Sequence, residues 1–253
     1  MTRVLIAGAN GLVSRAMAAR FPDHIALSHA DLDITDYRAV RDAVCDFDVV
    51  INGAVLGVDE CEAHPDRAQA INVDGPAILA NAAARIGSAF VHFSSNYVLD
   101  PVNVYGRTKL EGERAVAAAH PRALIVRTSW VFGRGTKQSF IINVHENLLR
   151  RERVHAIGDV FANTTFVDDL ADAVERLIAG GGNAGTFNVV NAGIVSYDEI
   201  ARYAAQLVGA PEDLIDVVRG ADVQRAPRPR YTPMQPSLPM RHWREAYAEF
   251  VRG

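Results

Sequence analysis

Cysteine is scarce in this 253-residue chain: there are two, Cys45 and Cys61, and no C-x-x-C pair. A disulfide framework and a structural zinc site are therefore excluded as organising principles, and a reducing cytoplasm is the simplest compartment to expect. The eight histidines show no H-x-x-x-H or H-E-x-x-H spacing, so no metal site is expected either. No apolar run is long enough to span a membrane. Met1-Thr2-Arg3 leads straight into an apolar segment, which leaves no room for a signal peptide. Positive charge is not in excess: the net charge is -4, against a nucleic-acid partner, which would call for a basic field. Internal repeats, low-complexity tracts and a clean linker are absent too.

What remains is a globular composition, 49% apolar and 22% charged, with enough chain for one large domain or one domain and an appended lobe. The first half alternates short apolar runs with helical patterns. Val4–Ala7, Ile25–Leu27, Asp48–Asn52, Ala89–Phe93 and Ala123–Arg127 read as strands. Leu12–Arg20, Asp36–Cys45, Arg67–Ile86 and Tyr105–Ala119 read as helices between them, with Thr35 as N-cap of the second. Strands separated by such helices imply an α/β fold, a doubly wound parallel sheet with right-handed crossovers.

The second half is less regular. Phe140–Arg150 and Val167–Ala179 read as helices and Thr186–Val190 as a strand, after a flexible turn at Gly180–Gly185. Ser196-Tyr197-Asp198-Glu199 is a capping box opening a helix to about Val208. The proline-rich segment Pro227–Pro239 cannot be regular helix and is expected to lie extended over the body. The expected division is a dinucleotide-binding core of residues 1–135, also receiving 165–192, and a small lobe of 136–164 and 193–253.

Three places carry chemistry. Gly8-Ala9-Asn10-Gly11 follows the first strand and opens a helix, where glycines let the backbone approach a pyrophosphate and free N–H groups receive it. The third small position is Ser14 rather than glycine, a swap that bears on helix–sheet packing more than on phosphate. Past the second strand, Ser28-His29 offers neither an acid for a ribose diol nor an arginine for a 2′-phosphate, which leaves a slight lean to NADP over NAD. Asp33 is placed to accept from an adenine amino group, and serves equally as a solvated turn acid.

Ser94-Ser95 ends the fourth strand, where ligands gather in open α/β sheets. Tyr105 and Lys109 then stand four apart on one helix face. A nearby ammonium favours the phenolate and lowers a tyrosine's pKa. Ser95 is expected to hold a carbonyl oxygen, Tyr105 to deliver its proton, and Lys109 to tune the phenol and hold a nicotinamide ribose. Trp130 could line a substrate pocket or be a core residue.

These segments together resemble the extended short-chain dehydrogenase/reductases, most nearly their dTDP-4-dehydrorhamnose reductase-like branch. Leu32–Asp36 resembles the adenine-side motif, Ile51–Ala54 with Val58–Glu62 the segment under the pyrophosphate, and Ile71-Asn72 the buried asparagine helix. Ser94–Leu99 resembles the active-site strand, with Ser95 at the usual threonine. Asn103–Glu113 carries the strongest match, and Arg127–Gly133 and Ala226–Pro229 also fit. The resemblance implies a Rossmann domain with Ser95, Tyr105 and Lys109 as the catalytic group. It implies cofactor contacts from Gly8, Asn10, Gly11, Leu12, Val13, Asp33, Ile34, Ala54, Val55, Asn72, Phe93 and Lys109, and substrate contacts from Asn96, Tyr97 and Trp130. The implied partner is a small carbonyl compound, a nucleotide-linked 4-keto-6-deoxysugar or another secondary metabolite, with a homodimer left open.

Three departures stand out. Asp100–Val104 replaces a much longer family loop, Asn96 stands where an acid is usual, and Asp159–Thr165 only partly keeps the family's Asp-Gln-x-Gly-x-Pro-Thr segment. Two alternatives to a reductase therefore stay in view: an epimerase that retains NAD, and a cofactor-binding regulatory subunit without turnover, such as the one of methionine adenosyltransferase in the same branch.

Overall fold

A computed structural model of the chain describes residues 2–135, 139–180 and 184–252. Residues 181–183 of the expected flexible turn lie outside the described residues. The first half runs β1 (Val4–Ala7), α1 (Leu12–Arg20), β2 (His24–Leu27), α2 (Tyr37–Ala43), β3 (Val49–Asn52), α3 (Val58–Ala63), α4 (Pro65–Gln69), α5 (Gly75–Ile86), β4 (Ala89–Ser95), α6 (Val104–Ala119) and β5 (Leu124–Thr128). The second half adds β6 (Val131–Phe132), α7 (Phe140–Leu149), β7 (Val154–Ile157), β8 (Phe161–Ala162), β9 (Thr165–Phe166) and α8 (Val167–Ala179). It closes with β10 (Gly185–Asn188), β11 (Val195–Ser196), α9 (Tyr197–Val208), β12 (Ile215–Val218), α10 (Gly220–Val223) and α11 (Trp243–Arg252).

Six strands form one parallel sheet in the order β10-β5-β4-β3-β1-β2. The order reverses between β1 and β3, which opens a crevice at the carboxyl ends of the strands. Strand side chains alternate between two apolar layers, as a sheet covered on both faces requires. Val4 and Ile6 meet Met17, Leu170 and Val174 from α1 and α8. Leu5 and Ala7 meet Val40, Leu79 and Val116 from α2, α5 and α6. A third cluster joins Phe132 to Ile141, Leu148, Ile200, Trp243 and Tyr247, and so welds α7, α9 and α11 together.

Local chemistry corrects two expectations. Asp36, not Thr35, caps α2, its carboxylate accepting from Arg38 N and Ala39 N. Thr35 is engaged elsewhere: its N–H and hydroxyl both donate to Asp33 Oδ1, at 2.9 and 2.7 Å. The long helix expected over Arg67–Ile86 begins earlier, at Pro65, and widens into a π turn over Ala70–Asp74. The capping box at Ser196 and Glu199 is present in full. The proline-rich segment crosses the body extended, tied by Met234 N to Asn163 Oδ1 and Ser237 N to Asn188 O.

Candidate active site

The cradle begins where β1 ends. Gly8 takes φ +82, and a Cβ there would lie 2.6 Å from Ala54 N and 2.8 Å from its Cα. Only glycine allows the β1 and β3 turns to approach this closely. Gly11 starts α1 without a side-chain cap, so the first-turn N–H groups stay free for an anion. Beside them is a groove of about 310 Å³. Of the expected cofactor contacts, Gly8, Asn10, Gly11, Asp33 and Ile34 line it, as do Ala54 and Val55. His29, Glu60 and Arg67 line it as well, with Arg67 held 2.7 Å from Glu60. The sequence placed His29 near the ribose, past β2, but did not flag Arg67, which lies outside every motif. The two N–H and O–H bonds from Thr35 hold the Asp33 carboxyl below its usual range.

Leu12, Val13, Phe93, Asn72 and Lys109 lie outside this lining. Val13 packs on the sheet core, and Asn72 is fully buried. The π turn aims Asn72 at three neighbours. Its Oδ1 accepts from Leu56 N at 3.0 Å, and its Nδ2 donates to Thr108 Oγ1 and to Cys61 Sγ. Asn72 thus braces the groove's wall from behind. Gly112 permits this, since a Cβ there would collide with the Asn72 carbonyl. Ser14 is buried against Gly53 and Gly11, at the packing contact between α1 and the β3 turn.

The candidate catalytic side chains are brought together by β4 and α6. Asn103 caps α6 by accepting from Gly106 N at 2.7 Å, and its Nδ2 donates to Pro227 O at 2.7 Å. Glu62 accepts from Val104 N at 2.5 Å. Gly106 fits beneath the short connection, where a Cβ would lie 2.9 Å from Tyr97 O and 3.0 Å from Pro101 Cα. The helix start is thereby pinned from three directions. Tyr105 lies edge-on to Tyr97 at 5.6 Å, with the Ser95 hydroxyl near its phenol. Ser95 Oγ also donates to Asn96 Oδ1 and accepts from Tyr97 N, both at 3.2 Å. Asn96 Nδ2 donates to Thr232 Oγ1 at 2.6 Å.

Burial dominates the electrostatics. It pushes the Tyr105 phenol up to about 12, with the neighbouring Ser95 hydroxyl pulling the other way. It pulls the Lys109 ammonium down to about 8, opposed by Glu113 and Cys61. The expectation that Lys109 lowers the Tyr105 pKa is corrected here. Lys109 Nζ donates to Phe93 O at 2.6 Å and meets His92 Nε2 at 3.4 Å, away from the phenol. Burial also raises the Tyr97 phenol, against the pull of Arg228, which pairs with Asp59 at 3.1 Å. Trp130 holds an unusual φ of +37 and stacks on Tyr197 at 3.9 Å. Among the described residues no cluster of potential metal ligands occurs, and no helix is long and apolar enough to cross a membrane.

A phenol kept protonated beside a hydroxyl, at the carboxyl end of a strand next to a dinucleotide cradle, defines an NAD(P)-dependent oxidoreductase of the extended short-chain dehydrogenase/reductase type. The chain belongs to the family described as RmlD substrate binding domain, which it matches over residues 1–252. It is 36% identical over 277 residues to the dTDP-4-dehydrorhamnose reductase of Mycolicibacterium smegmatis, covering 98% of this chain and 85% of that protein. A dTDP-4-dehydrorhamnose reductase structure from Clostridium acetobutylicum superposes with a TM-score of 0.90 at 31% identity, covering 99% of this chain and 98% of the other. One from Bacillus anthracis, solved in complex with NADP, gives 0.92 at 28% identity and covers 99% of each.

Proposed function

We propose that this protein reduces the ketone of a nucleotide-linked 4-keto-6-deoxysugar with NADPH. The observation that carries the reading is the protonated Tyr105 phenol held against Ser95 beside the cradle. The cradle fits a dinucleotide: the positive φ of Gly8, the open N–H groups at Gly11 and the groove toward Asp33 suit a pyrophosphate with an adenosine at one end. Arg67 offers a guanidinium to a 2′-phosphate, at the expense of its pair with Glu60. When bound, the reduced nicotinamide supplies a hydride.

Ser95 donates a hydrogen bond to the substrate's carbonyl oxygen and fixes its position. Tyr105 gives that oxygen a proton as negative charge builds on it. A phenol raised to about 12 stays protonated near neutrality and suits this direction of transfer. Lys109 stands one turn behind, placed to hold a ribose hydroxyl. Asn96, Tyr97 and Trp130 are the side chains assigned to the sugar, and the lobe of residues 136–164 and 193–253 is assigned to its nucleotide. The NADP complex of the Bacillus anthracis relative supports the cofactor, and the relatives' names support the substrate class.

The test is to follow reduced-cofactor absorbance with purified protein, NADPH or NADH, and a panel of keto-sugar nucleotides. Consumption matched by reduced sugar is the expected result. Conversion without net consumption would replace the reading with an epimerase. Cofactor binding with neither would replace it with a regulatory subunit.

A further inference from the structure

Asn96 follows the serines that end β4 and is only 2% exposed. Both ends of its amide are taken by protein partners. Its Oδ1 accepts from Ser95 Oγ at 3.2 Å, and its Nδ2 donates to Thr232 Oγ1 at 2.6 Å. Thr232 lies 136 residues further along, in the proline-rich segment, and is buried as well. That segment is held in place without the Thr232 side chain. Thr232 N donates to Phe161 O at 3.0 Å, and Phe161 N donates to Arg230 O at 2.8 Å. Met234 N donates to Asn163 Oδ1 at 2.6 Å, and Pro227 O accepts from Asn103, the cap of α6, at 2.7 Å. The Thr232 hydroxyl is thus a fixed post against which the Asn96 amide is set.

We propose that Asn96 and Thr232 are positioning residues that aim the Ser95 hydroxyl, so that the proline-rich segment governs the group that meets the substrate's carbonyl. Ser95 Oγ accepts from Tyr97 N at 3.2 Å, which leaves its own O–H to be directed. An amide accepts at one end and donates at the other, whereas a carboxylate accepts at both. With its NH₂ on Thr232, Asn96 turns its oxygen to Ser95 and draws the hydroxyl proton to that side. A neutral amide oxygen is a weaker acceptor than the carboxylate usual at this place. It holds the proton in position and yields it to a carbonyl oxygen on which negative charge builds. Without the Thr232 hydroxyl the buried NH₂ has no partner, and the amide leaves its place against Ser95. Asn96 therefore serves the sugar through Ser95. The effect on rate rests on the reading of Ser95 as the carbonyl-holding group; the link from Thr232 to Ser95 does not.

Thr232→Val keeps the side chain's shape and removes its hydroxyl. With NADPH and a keto-sugar nucleotide, kcat should fall about tenfold while NADPH affinity is unchanged, and Thr232→Ser should restore most of the rate. In a Ser95→Ala background, Thr232→Val should cost less than about twofold, because no hydroxyl is left to aim. The full loss in that background would overturn the proposal, and so would a Thr232→Val enzyme as fast as the wild type. A crystal structure of Thr232→Val reads the same link without turnover: the Asn96 amide should have left its place against Ser95. An unmoved Asn96–Ser95 pair would overturn the proposal whatever the protein's activity. If Thr232→Val does not fold, Asn96→Ala compared in the same two backgrounds decides. A displaced amide together with a fully active Ser95→Ala enzyme would sustain the link and remove Ser95 from the chemistry.

Discussion

Lys109 Nζ rests on the carbonyl of Phe93 at 2.6 Å, while Tyr105, one turn earlier on α6, keeps its phenol near Ser95. The two side chains share a helix but not a partner. The phenol's acidity is therefore governed by burial and Ser95, and the lysine answers to β4.

Tyr105→Phe should cut turnover by about 10²–10⁴-fold, the usual worth of a positioned acid. The ring and its contact with Tyr97 remain, so cofactor affinity should be nearly unchanged. Steady-state rates at saturating NADPH check this, and activity close to wild type would remove Tyr105 from the chemistry.

Lys109 makes stability depend on pH. Its folded pKa, about 8, lies below the ordinary lysine value of 10.5. The unfolded chain thus binds more protons between these values, and stability should rise as pH increases through that window. Below pH 8 the full cost is present, on the order of 3 kcal/mol before relaxation. Above pH 10 the raised Tyr105, Tyr197 and Tyr247 pull the other way, because the unfolded chain then loses protons first. Urea unfolding at pH 7.5, below the range of about 8 to 10.5 that the lysine sets, and at pH 9.5, inside it, should show the rise in the wild type. Lys109→Met should flatten it. An equal rise in the mutant would show that Lys109 is not the titrating group.

Gly8→Ala should abolish measurable NADPH binding and destabilise the fold by about 1–3 kcal/mol, since a Cβ meets the Ala54 backbone at a positive φ. Ser14→Gly, a few residues on, should keep cofactor affinity within a small factor, because Ser14 packs on Gly53 and not on the groove. Fluorescence titration of reduced cofactor separates the two. A large gain in affinity from Ser14→Gly would show instead that the serine weakens the site.

NADPH should bind more tightly than NADH, and Arg67→Ala should narrow the difference. Asp31, the acid nearest the end of β2, is occupied: it accepts from both Ser28 N and Ser28 Oγ, at 2.9 and 2.6 Å. It is also absent from the groove's lining, so it is not placed to grip a ribose diol. A preference for NADH beyond about tenfold, or 1.4 kcal/mol, would mean that Asp31 or Asp33 reaches the ribose.

The parallel sheet and the glycine turn were legible because strand, turn and helix signals are local and agree with one another. The Ser95, Tyr105 and Lys109 spacing was legible for the same reason. What each side chain touches was not. Helix periodicity puts Lys109 on the face of Tyr105, but only the sheet shows that β4 offers it the Phe93 carbonyl and His92. The signal was there in outline, as one histidine inside an apolar strand. Asn72 reads as a motif residue from sequence, and the π turn that directs it inward leaves no periodic trace. Arg67 and His29 come to line one groove only after the crossovers bring their segments together. At α2, Thr35 and Asp36 are both good caps, and Asp33 decides between them by engaging Thr35.

The sixth strand of the sheet comes late in the chain, with Gly185 to Asn188 pairing beside Leu124 to Arg127. During synthesis β5 is therefore made long before the strand that covers its outer side, and its unpaired N–H and C=O groups form an open edge. Helix α8, which seals the layer with Leu170 and Val174, emerges only shortly before that strand. The nascent protein passes through a stage in which the candidate catalytic residues on β4 and α6 have been made but the sheet is unfinished and sticky. The stretch ending at Asn188 thus acts as the closing seam of the molecule: a chain halted before it should collect on chaperones or on its own copies instead of maturing.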